Sequence, residues 1–267
     1  MDSHKKDKFK SNPYNSLNKL VSKNDITNIL KNININDFKL NNIQLYQRAF
    51  VHKSYCHMKD YEEFENDIKA LPLQKESYEK MEFLGDSILG YIVCEYIFQR
   101  YTLIYNQDEG FLTKIKNRLV CGEMLCKLAR DIGFNKYLII SKHIDDNCNG
   151  RNNKNILEDT FEAFIGALYL DTNDIHFVKD ILIKIYEKYV DFTEIILNDT
   201  NYKDQLQRYL QNRFKEYPKY EITEEVDLFI CKVKKGIEVI SEGTGNTKKK
   251  AEQSAAKVAL IHYGVLN

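Results

Sequence analysis

Near residue 200 the hydrophobic period of this chain changes, and the change divides what can form on either side. From Ile26 to about Tyr189 apolar residues return at every third and fourth position, the repeat of a helix. Tyr202–Phe214 keeps that repeat. Then Tyr220–Glu225, Leu228–Lys234 and Ile237–Glu242 alternate apolar with polar, as half-buried strands do, with Lys235-Gly236 as a tight turn. A last helix is expected over Thr247–His262. The pattern predicts an all-α domain over 23–197 and a small α+β domain over 198–267, in the order α-β-β-β-α, with the polar break Asn198–Asn201 between them. Residues 1–22 read as a disordered polar lead-in. Within the helical part Pro72 is the sole proline, and the acidic run Asp60–Ile68 before it reads as an exposed connection or an extra helix.

Two stretches of the helical part gather acids on one face. At about 100° per residue, Glu79, Glu82 and Asp86 fall at about 0°, 300° and 340° on a helical wheel, with Met81, Leu84, Ile88 and Ile92 opposite. In the second, Asp159 and Glu162 share a face with Ala163 and Gly166, while Leu157, Phe161, Phe164 and Leu168 take the other. Asn155 followed by Glu158 reads as the cap of that helix. Small residues beside the acids would let another helix approach closely. Stacked like charges repel unless a cation offsets them, and carboxylates without His or Cys suit a hard cation such as Mg²⁺. Spacing alone leaves two readings, a metal site and salt-bridged helix surfaces.

Composition excludes several classes. No window approaches eighteen uninterrupted apolar residues, so no membrane span is expected, and Met1–Lys10 is polar and lysine-rich, unlike a secretory signal. The six cysteines form no CxxC pair and sit mostly in periodic apolar segments, which points away from structural zinc and toward buried reduced thiols in a soluble intracellular protein. Lys and Arg balance Asp and Glu at 39 each, which argues against nucleic acid binding through bulk charge alone and leaves local patches open.

The segment Tyr78-Glu79-Lys80-Met81-Glu82-Phe83-Leu84-Gly85-Asp86-Ser87-Ile88-Leu89 resembles the signature of the ribonuclease III family, with Lys80 where arginine is commoner. Ala49–Tyr55, Glu109–Val120 and Ile156–Asp171 resemble its other helical segments, and the tail is similar to a double-stranded-RNA-binding domain. The resemblance implies an all-α ribonuclease III endonuclease domain followed by that α+β domain. It implies a catalytic metal cluster of Glu82, Asp86, Asp159 and Glu162 that holds Mg²⁺, with Mn²⁺ able to substitute, and an outer acid, Glu79, in contact with RNA. The implied activity is hydrolysis of double-stranded RNA to 5′-phosphate and 3′-hydroxyl ends. A homodimer would cut both strands and leave short 3′ overhangs. Phe83 matches the aromatic that docks into the partner subunit; its other reading is an ordinary core residue. Two rivals, a non-catalytic duplex-RNA-binding protein and a structural relative in a larger complex, would typically have lost acids that are all present here.

The tail departs from its family in two places. Between the first two strands, where a Gly-Pro-x-His-like segment usually enters a minor groove, Glu224-Glu225-Val226-Asp227 leaves no room and presents acids. Arg208 stands where glutamate is common, although Gln207 matches a usual 2′-hydroxyl contact. Lys248 and Lys249 open the last helix, where amides and dipole already favour phosphate. From Asn201 onward twelve Lys and Arg face nine Asp and Glu, a mild excess of three. RNA binding through Gln207, Lys248 and Lys249 is expected, with a protein-contacting role as the alternative.

Overall fold

The computed structural model describes residues 11–197 and 201–266. The chain divides into two compact units, up to Phe192 and from Thr193. Residues 198–200 of the expected break and residues 1–10 of the expected lead-in lie outside the described residues.

In the first unit the helices are α1 Lys23–Asn32, α2 Ile43–Ala49, α3 Glu79–Ile97, α4 Glu109–Leu119, α5 Gly122–Ile132, α6 Lys142–Asn147, α7 Lys154–Thr172 and α8 Ile175–Tyr189, with α9 Phe192–Leu197 at the junction. Helix α7 is the axis. Its run from Thr160 to Leu168 is buried at every position but Glu162, and Phe164 meets Phe50, Phe134 and Tyr46 in a cluster of aromatic rings. Its cap is Asn153, whose side chain accepts from the N–H groups of Asn155 and Ile156. The cap therefore lies two residues before the expected one at Asn155, because Asn153 supplies an acceptor at the right spacing.

Residues 11–22 correct the expectation of a disordered lead-in. Asn15 and Asn18 are buried. Both donate from Nδ2 to the carbonyl of Ile140, at 3.3 and 2.9 Å, and Asn18 Oδ1 accepts from Ile140 N–H. Arg151 reaches Asn18 Oδ1 at 3.0 Å, and Pro13 accepts from Lys142 N–H. A polar side chain that satisfies a loop's backbone packs as well as an apolar one, so polarity misled. Ser22 then opens α1 with a capping box to Asp25.

The acidic connection after Tyr55 is exposed and has only a short turn at Lys59–Tyr61. It leaves and returns at one place, where Cys56 pairs with Gln74 and the Tyr55 hydroxyl donates to Leu71 O at 2.7 Å. Of the free cysteines only Cys126 and Cys231 are buried, while Cys121 and Cys148 are exposed. Among the described residues no helix is long and apolar enough to cross a membrane.

The second unit comprises α10 Tyr202–Phe214, β1 Pro218–Glu225, β2 Leu228–Lys235, β3 Glu238–Gly245 and α11 Lys248–His262. The antiparallel sheet runs β1-β2-β3. Its first turn is Val226-Asp227, with Asp227 left-handed at φ 59°. β3 extends past Glu242 to Gly245 because α11 lies directly on it: a Cβ at Gly243 would meet Ala255 N at 2.1 Å. Leu206, Leu210, Cys231, Val233 and the alanine face of α11 form its core.

Candidate active site

The site is built where α3 crosses α7. The backbones meet at glycine: a Cβ on Gly166 would lie 2.3 Å from Met81 O. Without side chains between them, the helices bring their acidic faces into one cluster. Carboxylate oxygens of Glu82, Asp159 and Glu162 lie within 4.8 Å of one another. Asp86, one turn beyond Glu82, is exposed and outside that close group, yet its charge is the strongest neighbouring influence on Glu162.

The electrostatics are those of acids crowded together with only the Lys53 charge nearby to offset Glu82 and Asp159. Burial, and then the charges of Asp86, Glu158, Glu82 and Asp159, push Glu162 up to about 8. Burial also raises Glu82 and Asp159, and the Tyr78 hydroxyl partly offsets the effect on Asp159. Among the described residues none of these three acids has an ion-pair partner. The reading of salt-bridged helix surfaces therefore does not fit them. An oxygen-only set whose negative charge Lys53 offsets only in part, at Glu82 and Asp159, fits a hard divalent cation.

Glu79 stands apart at the rim. It pairs with Lys53 at 3.1 Å and accepts from Ser77 Oγ at 3.1 Å, and the Lys53 contact holds it below the usual carboxylate range. Phe83 is 79 % exposed on the same helix, which rules out the core reading within a single chain. Two neighbours were not legible as site residues. Glu158 is half-buried, its carboxylate lying where a Cβ on Gly122 would go. The Tyr78 hydroxyl donates to Asp159 Oδ2 at 3.0 Å. Tyr78 caps the start of α3, and its partner lies on α7, so no local pattern marked it.

In the second unit Gln207 is exposed on α10, and Lys248 and Lys249 are exposed in the first turn of α11, whose cap Thr247 accepts from Lys250 N–H. Lys248 Nζ sits 5.7 Å from the ring centre of Phe229 on β2. Arg208 is paired with Asp204 at 2.8 Å.

Comparison with known proteins agrees with both halves. Residues 42–187 match the Ribonuclease-III-like family, and residues 202–263 match the double-stranded RNA binding motif. Ribonuclease 3 of Borreliella afzelii is 32% identical over 89% of this chain and 91% of its own length. Ribonuclease 3 of Acinetobacter baylyi is 34% identical over 82% of this chain and 88% of its own. The probable ribonuclease 3 of Acanthamoeba polyphaga mimivirus is 35% identical over 97% of this chain, which spans 48% of that relative's length. The ribonuclease III nuclease domain of Campylobacter jejuni superposes with a TM-score of 0.49 at 25% identity, covering 62% of this chain and 98% of that one. With a helical nuclease unit, an α-β-β-β-α unit after it and relatives aligned across both, this chain belongs to the ribonuclease III family.

Proposed function

We propose that this protein hydrolyses phosphodiester bonds of double-stranded RNA with Mg²⁺, as a homodimer, leaving 5′-phosphate and 3′-hydroxyl ends with short 3′ overhangs. The observation that carries the proposal is the three-acid cluster of Glu82, Asp159 and Glu162, without an ion-pair partner and flanked by Asp86. These four acids would hold the cation, with Mn²⁺ as a substitute. Once bound, it supplies charge neutralisation for the phosphate and acidity toward water.

The chain's own residues do the rest. The α3–α7 crossing fixes the carboxylates before substrate arrives, so little reorganisation accompanies the reaction. Lys53 holds Glu79 in place, where its carboxylate could contact RNA. Gln207, Lys248 and Lys249 are exposed for contact with 2′-hydroxyls and phosphates, the groups by which duplex RNA is read. Among the described residues one chain carries one such cluster, and cutting both strands calls for a second copy. A two-fold dimer with Phe83 in its interface supplies it.

Incubation of the full chain with long duplex RNA, in Mg²⁺ and in chelator, tests the proposal. Cleavage confined to Mg²⁺, with staggered 5′-phosphorylated products, is expected. Equal cleavage in chelator, or none of duplex RNA in any divalent cation, overturns it.

A further inference from the structure

We propose that Tyr78 is the positioning residue of the cation site, setting Asp159 against Glu82 across the two helices; the inference rests on the metal-dependent reading above. Tyr78 is 2% exposed and held along its backbone. Its N–H donates to Val51 O at 2.9 Å, and its carbonyl accepts from Met81 N–H and from Glu82 N–H at 2.8 and 3.0 Å. Its ring lies 5.9 Å from that of His52. Its hydroxyl donates to Asp159 Oδ2 at 3.0 Å. One residue thus binds the backbone of an acid on α3 and the side chain of an acid on α7.

The consequence for the cation is geometric. A carboxylate with two free oxygens turns about its terminal bond over a broad range. With Oδ2 engaged by Tyr78, rotation of the Asp159 carboxylate is restricted, and Oδ1 would remain available to the cation. Removing the donor frees that rotation without removing a charge. Partners that orient ligands in this way typically govern about ten- to a hundredfold in metal affinity.

The protein contains a matched control. Tyr46 is fully buried, and its hydroxyl donates to Asp171 Oδ2, also at 3.0 Å, away from the acid cluster. Tyr46→Phe removes the same kind of bond and serves as the purely structural comparison.

The test is Mn²⁺ titration of the full chain, followed by calorimetry or by the spin-resonance signal of free Mn²⁺, with thermal unfolding and cleavage measured alongside. Tyr78→Phe is expected to weaken Mn²⁺ binding about ten- to a hundredfold. The Mg²⁺ concentration for half-maximal cleavage should rise by the same factor, with KM for RNA unchanged and cleavage restored at high Mg²⁺. Tyr46→Phe should lower thermal stability while binding Mn²⁺ as the wild type does. Should Tyr78→Phe fail to fold, Tyr78→Met keeps the bulk without the hydroxyl and takes its place. Wild-type Mn²⁺ affinity in the Tyr78 variant overturns the inference, as does an equal loss in both tyrosine variants. A wild-type chain that binds no Mn²⁺ and cuts in chelator overturns the parent reading instead.

Discussion

A methyl group added to Gly85 would lie 1.8 Å from the backbone carbonyl oxygen of Glu162. The obstacle is the main chain of α7, so no side chain can swing aside to relieve it. Gly85→Ala must therefore push the helices apart at the acid cluster. Overpacking of this kind costs about 1–3 kcal/mol, and separation also spreads the carboxylates. Denaturant unfolding should show the loss, and Mn²⁺ titration should show weakened binding in whatever fraction remains folded. If both are unchanged, α3 and α7 do not meet at this glycine.

Loss of a single acid should separate chemistry from affinity. Glu162→Gln or Asp86→Asn is expected to reduce cleavage by more than about a hundredfold, the scale of losing one group that meets charge in the transition state. Duplex binding in a filter or gel-shift assay should stay close to wild type, since these acids add nothing to phosphate attraction. Substantial cutting by either variant removes that acid from the catalytic cluster.

The raised Glu162 carboxyl sets a pH dependence of stability. In chelator, the folded chain keeps this proton up to about 8, whereas an unfolded glutamate releases it near 4.3, roughly. Between those values the native state binds the extra proton, so its stability falls as pH rises and levels off above about 8. His52, depressed to about 4 by burial and then by Lys53, acts in the opposite sense and only below the usual histidine range. The window just above neutrality therefore belongs to Glu162. Thermal melts in chelator should fall across it for the wild type, fall less for Glu162→Gln, and flatten with saturating Mg²⁺. A wild-type melt that rises through the window reverses the predicted sign.

Assembly should depend on Phe83. Light scattering of the wild type is expected to give twice the 31.5 kDa chain mass. Because the ring is exposed on the single chain, Phe83→Ala leaves no cavity in the fold, and its cost, about 2 kcal/mol or more for an anchoring aromatic, falls on association. The variant should shift toward monomer with far-ultraviolet dichroism unchanged. A wild-type monomer that still makes paired staggered cuts contradicts the dimer.

The tail gives the salt-dependence test. Its first turn has only Val226 and Asp227, with Glu224 and Glu225 leading in, so a large share of phosphate contact should fall to Lys248 and Lys249. Replacing both with alanine should weaken duplex binding strongly and lower the slope of log affinity against log salt by about 2, since each lost phosphate contact removes roughly one released counterion. Deleting everything beyond Asn198 should leave a nuclease that cuts at low salt and fails near physiological salt. Undiminished binding and cutting at every salt concentration would give the tail to a protein partner instead.

Much of this was legible in the residues because periodicity reports burial. The acids at 79, 82 and 86 and at 159 and 162 could be placed on helix faces by counting, and Gly166 beside them announced a close crossing. Counting could not show that Asp86 stands outside the closest group, since that depends on where α7 crosses. It could not reveal Tyr78 either: an aromatic at a helix start reads as core, and its polar end matters only once Asp159 is opposite. Asn15 and Asn18 were hidden for the same reason. Their partner, Ile140, is more than a hundred residues away, and local pattern carries no sign of it.

That separation bears on how the molecule is made. The stretch holding Asn15 and Asn18 leaves the ribosome before the loop it pairs with, which follows 122 to 125 residues later. At about 5–20 residues per second, the asparagines precede that partner by on the order of ten seconds. The polar character that disguised the segment as filler suits it to water during that delay. A segment that must close late over a finished loop, without clinging to unfinished helices in the meantime, is better written in asparagine than in leucine.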